Sequence, residues 1–255
     1  MQFGFMSSVC PKYSLSELID AAKRYDYQHI EVRVEWGHGH GIELATPPNQ
    51  LREAKQRLGD NGVALSCIAT GVRFIDPDAG KRQAQVDLLK RYIELAATVG
   101  ARNIRIFGDP VPKGNPVKVD ETLDWEAEGI QACDSAAADA GVALCLETHG
   151  NLLASYVAEA LYRAEAKSAF VNWHASHHLN HGQPTEVAYV HLRGKVRHMH
   201  VNFGESGPMP ESEQLPLQLL AEDGYDGFCA VEVINPPDSE ATLKRHATLF
   251  KEWRE

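Results

Sequence analysis

Short apolar runs rich in β-branched residues alternate along the chain with longer stretches whose apolar positions recur at helical spacing. Eight such pairs run from end to end. The pattern predicts strands over Gln2–Ser8, His29–Val34, Val63–Thr70, Asn103–Phe107, Val142–Thr148, Phe170–Ala175, Val196–Phe203 and Gly227–Val233. It predicts helices over Leu15–Tyr25, from Pro47 to Gly62, and over Lys81–Val99, Glu121–Ala140, Leu152–Glu165, Thr185–Leu192, Glu213–Glu222 and Ser239–Trp253. Local signals agree with the periodicity. Ser14 suits an N-cap, Pro47 and Pro48 suit a first helical turn, and Gly100 suits a helix end. Val86, Leu89, Ile93, Ala96 and Ala97 mark one face of the third helix. A Gly/His-rich loop is expected from Trp36 to Thr46 and a Pro/Gly-rich one from Gly108 to Val117.

Strict βα alternation calls for a parallel sheet covered by helices. Eight units within 255 residues fit an α/β fold closed into a single (β/α)₈ TIM barrel, which typically takes about 250 residues. An open, doubly wound sheet is the alternative. Neither a GxGxxG turn after the first strand nor a Gly-rich loop ending in Lys-Ser/Thr supports its nucleotide-binding versions. No linker, repeat or low-complexity segment divides the chain, so residues 1–255 read as one domain.

Charge and cysteine usage narrow the partners. A formal net charge of −10 at pH 7 repels phosphate backbones, so no nucleic-acid partner is expected. The five cysteines form no CxxC pair, and most lie in apolar stretches. That usage suits reduced thiols in a cytoplasmic compartment. The first residues read as a strand, not a signal peptide. No apolar run approaches the roughly 18 residues of a membrane span, so no membrane association is expected.

The chemistry lies inside the strands. Alternate residues of a barrel strand point to the interior. On the fifth strand that parity turns Cys145, Glu147 and His149 inward; on the sixth, Asn172, His174 and Ser176; on the seventh, His198, His200 and Asn202; on the eighth, Glu232 with Phe228 and Ala230. Four consecutive strands thus carry an acid or an imidazole near their C-terminal ends, aimed at one axis. Buried charge is costly unless paired or metal-bound, and carboxylate with imidazole is a donor set for Mn, Zn, Co or Fe(II). Arg33 and Arg105 also point inward. They suit a phosphate or carboxylate, or interior salt bridges, either with an inward glutamate of these strands or with Glu31 or Glu35. Trp36 and Trp173 are possible pocket walls, and His38, His40, His178 and His181 fall in expected loops, where histidines are usually solvated.

With LeuGluThrHisGly on strand 5, TrpHisAlaSerHis on strand 6, HisMetHisValAsn on strand 7 and ValGluVal on strand 8, the whole chain resembles the xylose isomerase-like barrel superfamily. That superfamily holds sugar epimerases, ketose and hydroxypyruvate isomerases, inosose dehydratases and the endonuclease IV group. The resemblance implies a divalent metal held by Glu147, His174, His200 and Glu232, with His177 on the substrate. Strand 6 of the family normally supplies Asp where this chain has His174. Imidazole is neutral and softer, which tilts the choice away from Mg toward Mn, Zn, Co or Fe. Strand 7 of the family often continues His-x-Lys-Asp; here Asn202 and Phe203 stand there, so a charged substrate contact is missing.

By resemblance to the epimerases, Glu147 and Glu232 would exchange a carbon-bound proton of a small sugar-like hydroxycarbonyl, the metal stabilising the ene-diolate. His177, His149, Arg33, Arg105 and Asn202 are the residues expected to contact substrate. A dehydratase on the same metal, and a non-catalytic ligand-binding barrel, are the alternatives. An endonuclease needs more ligands and a basic groove. Barrels of this family often pair, which leaves a homo-oligomer open, although no exposed helix face in the sequence names an interface.

Overall fold

In a computed structural model that describes residues 1–255, eight parallel strands close into a barrel in sequence order, each hydrogen-bonded to the next and β8 to β1. The strands are β1 (Gln2–Met6), β2 (His29–Arg33), β3 (Ala64–Ala69), β4 (Asn103–Ile106), β5 (Ala143–Glu147), β6 (Ala169–His174), β7 (Val196–Val201) and β8 (Phe228–Val231). The helices are α1 (Leu15–Arg24), α2 (Pro48–Asp60), α3 (Ala79–Val99), α4 (Pro116–Ala140), α5 (Ala154–Ala164), α6 (Ala175–Asn180), α7 (Thr185–Leu192), α8 (Glu211–Glu222) and α9 (Ser239–Arg254). No helix is long and apolar enough to cross a membrane.

Local chemistry sets the helix ends. Ser14 and Glu17 form a reciprocal capping box at α1. Asp78 caps α3, and Gly100 closes it in the left-handed conformation, φ +79°. Two expectations need correction. Helix α4 begins at Pro116, because Asn115 accepts the Lys118 N–H and Pro116 fits the first turn. The segment after β6, expected as loop, is the short helix α6, which carries His177 and His178.

Outward strand residues such as Ile104, Leu144, Leu146, Val171 and Met199 join the inner faces of the helices in one apolar cluster. The barrel interior is different. Glu31, Cys67, Arg105, Cys145, Glu147, Asn172, His174, His198 and His200 are all buried. A barrel filled mainly by Val, Ile and Leu is the structural norm, so polarity on this scale asks for a chemical reason. Two register shifts tune it. Between Ile30 and Glu31 the pairing skips Ser66 of β3, setting Glu31 beside Cys67. Between Val171 and Asn172 it skips Arg197 of β7, setting Asn172 beside His198 and His174 beside His200. Such irregularities re-aim side chains next to sites.

Candidate metal centre

Glu147, His174, His200 and Glu232 each offer one ligand atom, and the four atoms lie within 4.8 Å of one another at the C-terminal mouth. His200 Nδ1 is 2.9 Å from Glu147 Oε1 and 3.1 Å from Glu232 Oε2. His174 Nδ1 is 3.3 Å and 3.2 Å from the same two oxygens. Metal–ligand bonds of about 2.1 Å at tetrahedral or octahedral angles give edges of about 3.0–3.4 Å. The observed separations match. A hydrogen-bonded reading explains them less well, because each ring nitrogen faces two carboxylate oxygens at once and carries at most one hydrogen.

The layer beneath orients these side chains. His200 Nε2 lies 3.0 Å from Glu31 Oε2, and His198 Nε2 lies 2.7 Å from the same oxygen. With Nε2–H donated to Glu31, His200 presents Nδ1 to the cluster: a carboxylate–histidine pair of the kind that fixes a ligand's tautomer. The Asn172 amide sits 3.1 Å from His200 Nδ1, and its buried Oδ1 has no partner. Thr148 and the His174 backbone bond each other in both directions, fixing the end of β6.

Electrostatics keep the acids ionised. Burial opposes the charge on Glu147, but with both ring nitrogens of His200 protonated, the charge of that ring and then that of Arg105 outweigh it and hold the carboxyl well below its usual range; an ion on Nδ1 would supply that positive charge in the proton's place. Glu232 is held low in the same way, chiefly by His200. Glu31 too stays below its ordinary value, because His200 and His198 override its burial. The two carboxylates at the mouth differ in freedom. Glu147 Oε2 accepts Arg105 Nη1–H at 3.1 Å. Glu232 puts only Oε2 into the cluster, and its side chain stays 13% exposed against 0% for Glu147.

The other expected residues scatter around the mouth. His149 lies past the end of β5, half-buried; its Nδ1 is 2.9 Å from Asp109 Oδ1, and its ring is 4.4 Å from Phe107 and 4.3 Å from His177. The His177 ring is 4.4 Å from His174. Asn202 is exposed and accepts the Gly204 N–H, in a groove beside α9, so the structure does not bring it to the cluster. Arg105 pairs with Glu147, so the bridge between an inward glutamate and an inward arginine forms there, whereas neither Arg33 nor Arg105 bridges to Glu31 or Glu35. Trp173 is wholly buried and donates to His178 Nε2, facing the helices. His178 and His40 are buried structural residues, not solvated ones: His178 also meets the Gln183 carbonyl, and His40 lies against the Arg33 carbonyl and accepts the Ile42 N–H.

Glu31 belongs to the site as well. Its parity with Arg33 on β2 marks it as inward, but only the folded barrel shows that it joins His198 to His200. Other concavities exist, such as one of about 480 Å³ at the opposite end of the barrel bordered by Arg102, Lys167 and Arg197, but no comparable donor set converges there.

A closed barrel with this constellation defines a (β/α)₈ protein of the kind that works at the C-terminal ends of its strands. The chain matches the xylose isomerase-like TIM barrel family over residues 19–253, and it belongs to that family. Among solved structures it is similar to a D-psicose 3-epimerase crystallised in the presence of D-fructose (17% identity, TM-score 0.80, 99% of each chain covered). It is also similar to a 3-keto-D-glucoside 4-epimerase from E. coli (16%, 0.79, 100% and 99%) and to a probable 3-DHS dehydratase from Bacillus anthracis (14%, 0.77, 98% and 99%). No curated protein sequence matches the chain.

Proposed function

We propose that this protein is a divalent-metal-dependent isomerase or epimerase of a small hydroxycarbonyl compound. The observation that carries the reading is the convergence of Glu147, His174, His200 and Glu232 on one point, at spacings that fit a metal ion. Two imidazoles in the set favour Mn, Zn, Co or Fe over Mg. A divalent ion bound there would polarise a carbonyl and its neighbouring hydroxyl, acidifying the carbon-bound hydrogen between them.

This chain's own residues do the rest. Glu232, untied on its outer side, takes or returns a proton at carbon on one face of the substrate. Glu147 does so on the other, its charge held by Arg105. Glu31 keeps His200 in one orientation. His149 and His177, backed by Phe107, offer ring nitrogens to substrate hydroxyls at the mouth.

The test begins with metal-stripped protein titrated with Mn(II), Zn(II), Co(II) and Mg(II). One equivalent of a transition ion is expected to bind, more tightly than Mg(II). The loaded protein is then incubated with a ketose and oxo-acid panel in D₂O and followed by NMR. Deuterium uptake at the carbon beside the carbonyl is expected, and Glu232→Gln is expected to slow it at least 100-fold. Stoichiometric metal with loss of water from the substrate would favour the dehydratase reading, a chemistry named for one of the structural neighbours. Absence of both metal and exchange would leave a non-catalytic barrel.

A further inference from the structure

We propose that the opposite end of the barrel binds a small phosphate monoester, held by Arg102, Lys167 and Arg197. The site lies apart from the metal centre and does not depend on the function proposed there.

The cavity that these residues line measures about 480 Å³, within the range of about 300–1,000 Å³ that small-molecule sites occupy. Arg197 precedes His200 on β7 by three residues, roughly 10 Å at the rise of a strand. A small ligand seated here does not reach the mouth.

Arg197 owes its place to a strand irregularity. The β6–β7 register shifts between Val171 and Asn172 and leaves it without a partner. An extra residue of this kind breaks the regular alternation and re-aims its side chain. Val196 and His198 on either side are buried, whereas Arg197 is exposed. Its guanidinium carbon lies 4.4 Å from the ring centre of Phe170, which lines the same cavity. Stacking on the ring orients the planar cation at the cavity wall.

No acid neutralises the three cations. The ion pairs of Arg24, Arg57, Lys81, Arg105, Arg163 and Arg193 leave all of them out. Asp134 spends its two oxygens on the backbone N–H groups of Lys167 and Ser168. Asp226 is the one acid on the wall. Other acceptors there are already used: the Ala137 and Ala138 carbonyls take the Val142 and Gly141 N–H groups, and Asn103 Oδ1 meets Cys145 Sγ. The cavity therefore presents positive charge and N–H donors. Cations gathered round one space repel each other until an anion enters it.

Charge and size select the anion. Three cations against one acid leave two positive charges in excess. A phosphate monoester carries about −1.5 to −2 at pH 7 and offers three acceptor oxygens. A monocarboxylate answers half the charge with two oxygens. A nucleic-acid strand would run on past the cavity over a chain of net charge −10.

The experiment is calorimetry at low ionic strength with sn-glycerol 3-phosphate, D-glycerate and glycerol, on metal-stripped and Mn(II)-loaded protein alike. The ester is expected to bind at least tenfold more tightly than glycerate in both forms, and glycerol not at all. Arg102→Gln, Lys167→Gln and Arg197→Gln should each weaken the ester about tenfold. The melting temperature should not move, because all three residues are exposed. Arg197→Lys keeps the charge and should retain part of the binding that Arg197→Gln loses. Arg52→Gln removes an equal charge from the exposed side of α2, away from the cavity, and should change nothing. Equal binding of ester and glycerate, wild-type binding in two or more of the three Gln variants, or an equal loss in Arg52→Gln would overturn the proposal. Binding that requires Mn(II) would move the ester to the mouth and overturn it too. So would no binding at millimolar concentration, or tighter binding of a short uridine oligonucleotide than of the ester.

Discussion

Glu31 and Glu126 show how burial acts on a carboxyl with partners and on one without. Glu31 has two imidazoles against it and stays ionised. Replacing it with Gln removes the charge that holds His200 Nε2–H. The expected result is a 10- to 100-fold loss of Zn(II) or Mn(II) affinity with the far-UV spectrum unchanged; wild-type affinity in Glu31→Gln would show the contact to be packing alone. Glu126 of α4 has only the Phe74 N–H at 3.4 Å, and its Oε1 has no partner. Burial, against a small opposing effect of that N–H and of Arg73, pushes it up to about 8. Its folded pKa thus exceeds its unfolded one, so the native state binds the extra proton between them and stability falls as pH rises through that window. Unfolding free energy measured from pH 5 to 8 should decline more steeply for the wild type than for Glu126→Gln, and the two slopes should merge below about pH 4.

At the scale of elements, α4 and the loop that follows β3 are fitted to each other through a missing side chain. A Cβ on Gly129 would lie 2.2 Å from Phe74 Cγ, and Phe74 is wholly buried. Helix propensity alone favours Gly129→Ala by about 1 kcal/mol. Overpacking a tight core costs about 1–3 kcal/mol, and at this separation the clash should win. Urea denaturation is expected to show a net loss of about 1–2 kcal/mol, and a more stable variant would mean that Phe74 moves aside freely. Such fits explain what the sequence could and could not disclose. The order of strands and helices was legible because short β-branched apolar runs and longer stretches of helical spacing differ in both length and periodicity. The α6 helix was not, because six residues ending in a polar loop show no full apolar face. Nor was the start of α4, where Asn115 and Pro116 read equally well as loop chemistry.

Across the whole molecule, parity along the strands was enough to turn the acids and imidazoles toward a common axis. The partners at depth were not visible, because they depend on the register shifts at Ile30/Glu31 and Val171/Asn172. Asn202 shares its parity with His200, yet the chain bends after β7 and carries it to Gly204. Arg33 was readable as inward, but its lack of a counter-ion emerges only once Tyr92 and Gly71 are seen to occupy Glu35.

All five cysteines, Cys10, Cys67, Cys133, Cys145 and Cys229, are free and buried. Burial pushes Cys133 up to about 11 and Cys10, with some help from Glu240, to about 12. The native chain should therefore be chemically silent toward disulfide-exchange dyes, since the thiolate is the species that reacts. In denaturant all five should respond at once. Dye uptake in buffer then becomes a clock for rare openings of the barrel, reporting from β3, β5, β8, α4 and the connection between β1 and α1 without any label being engineered.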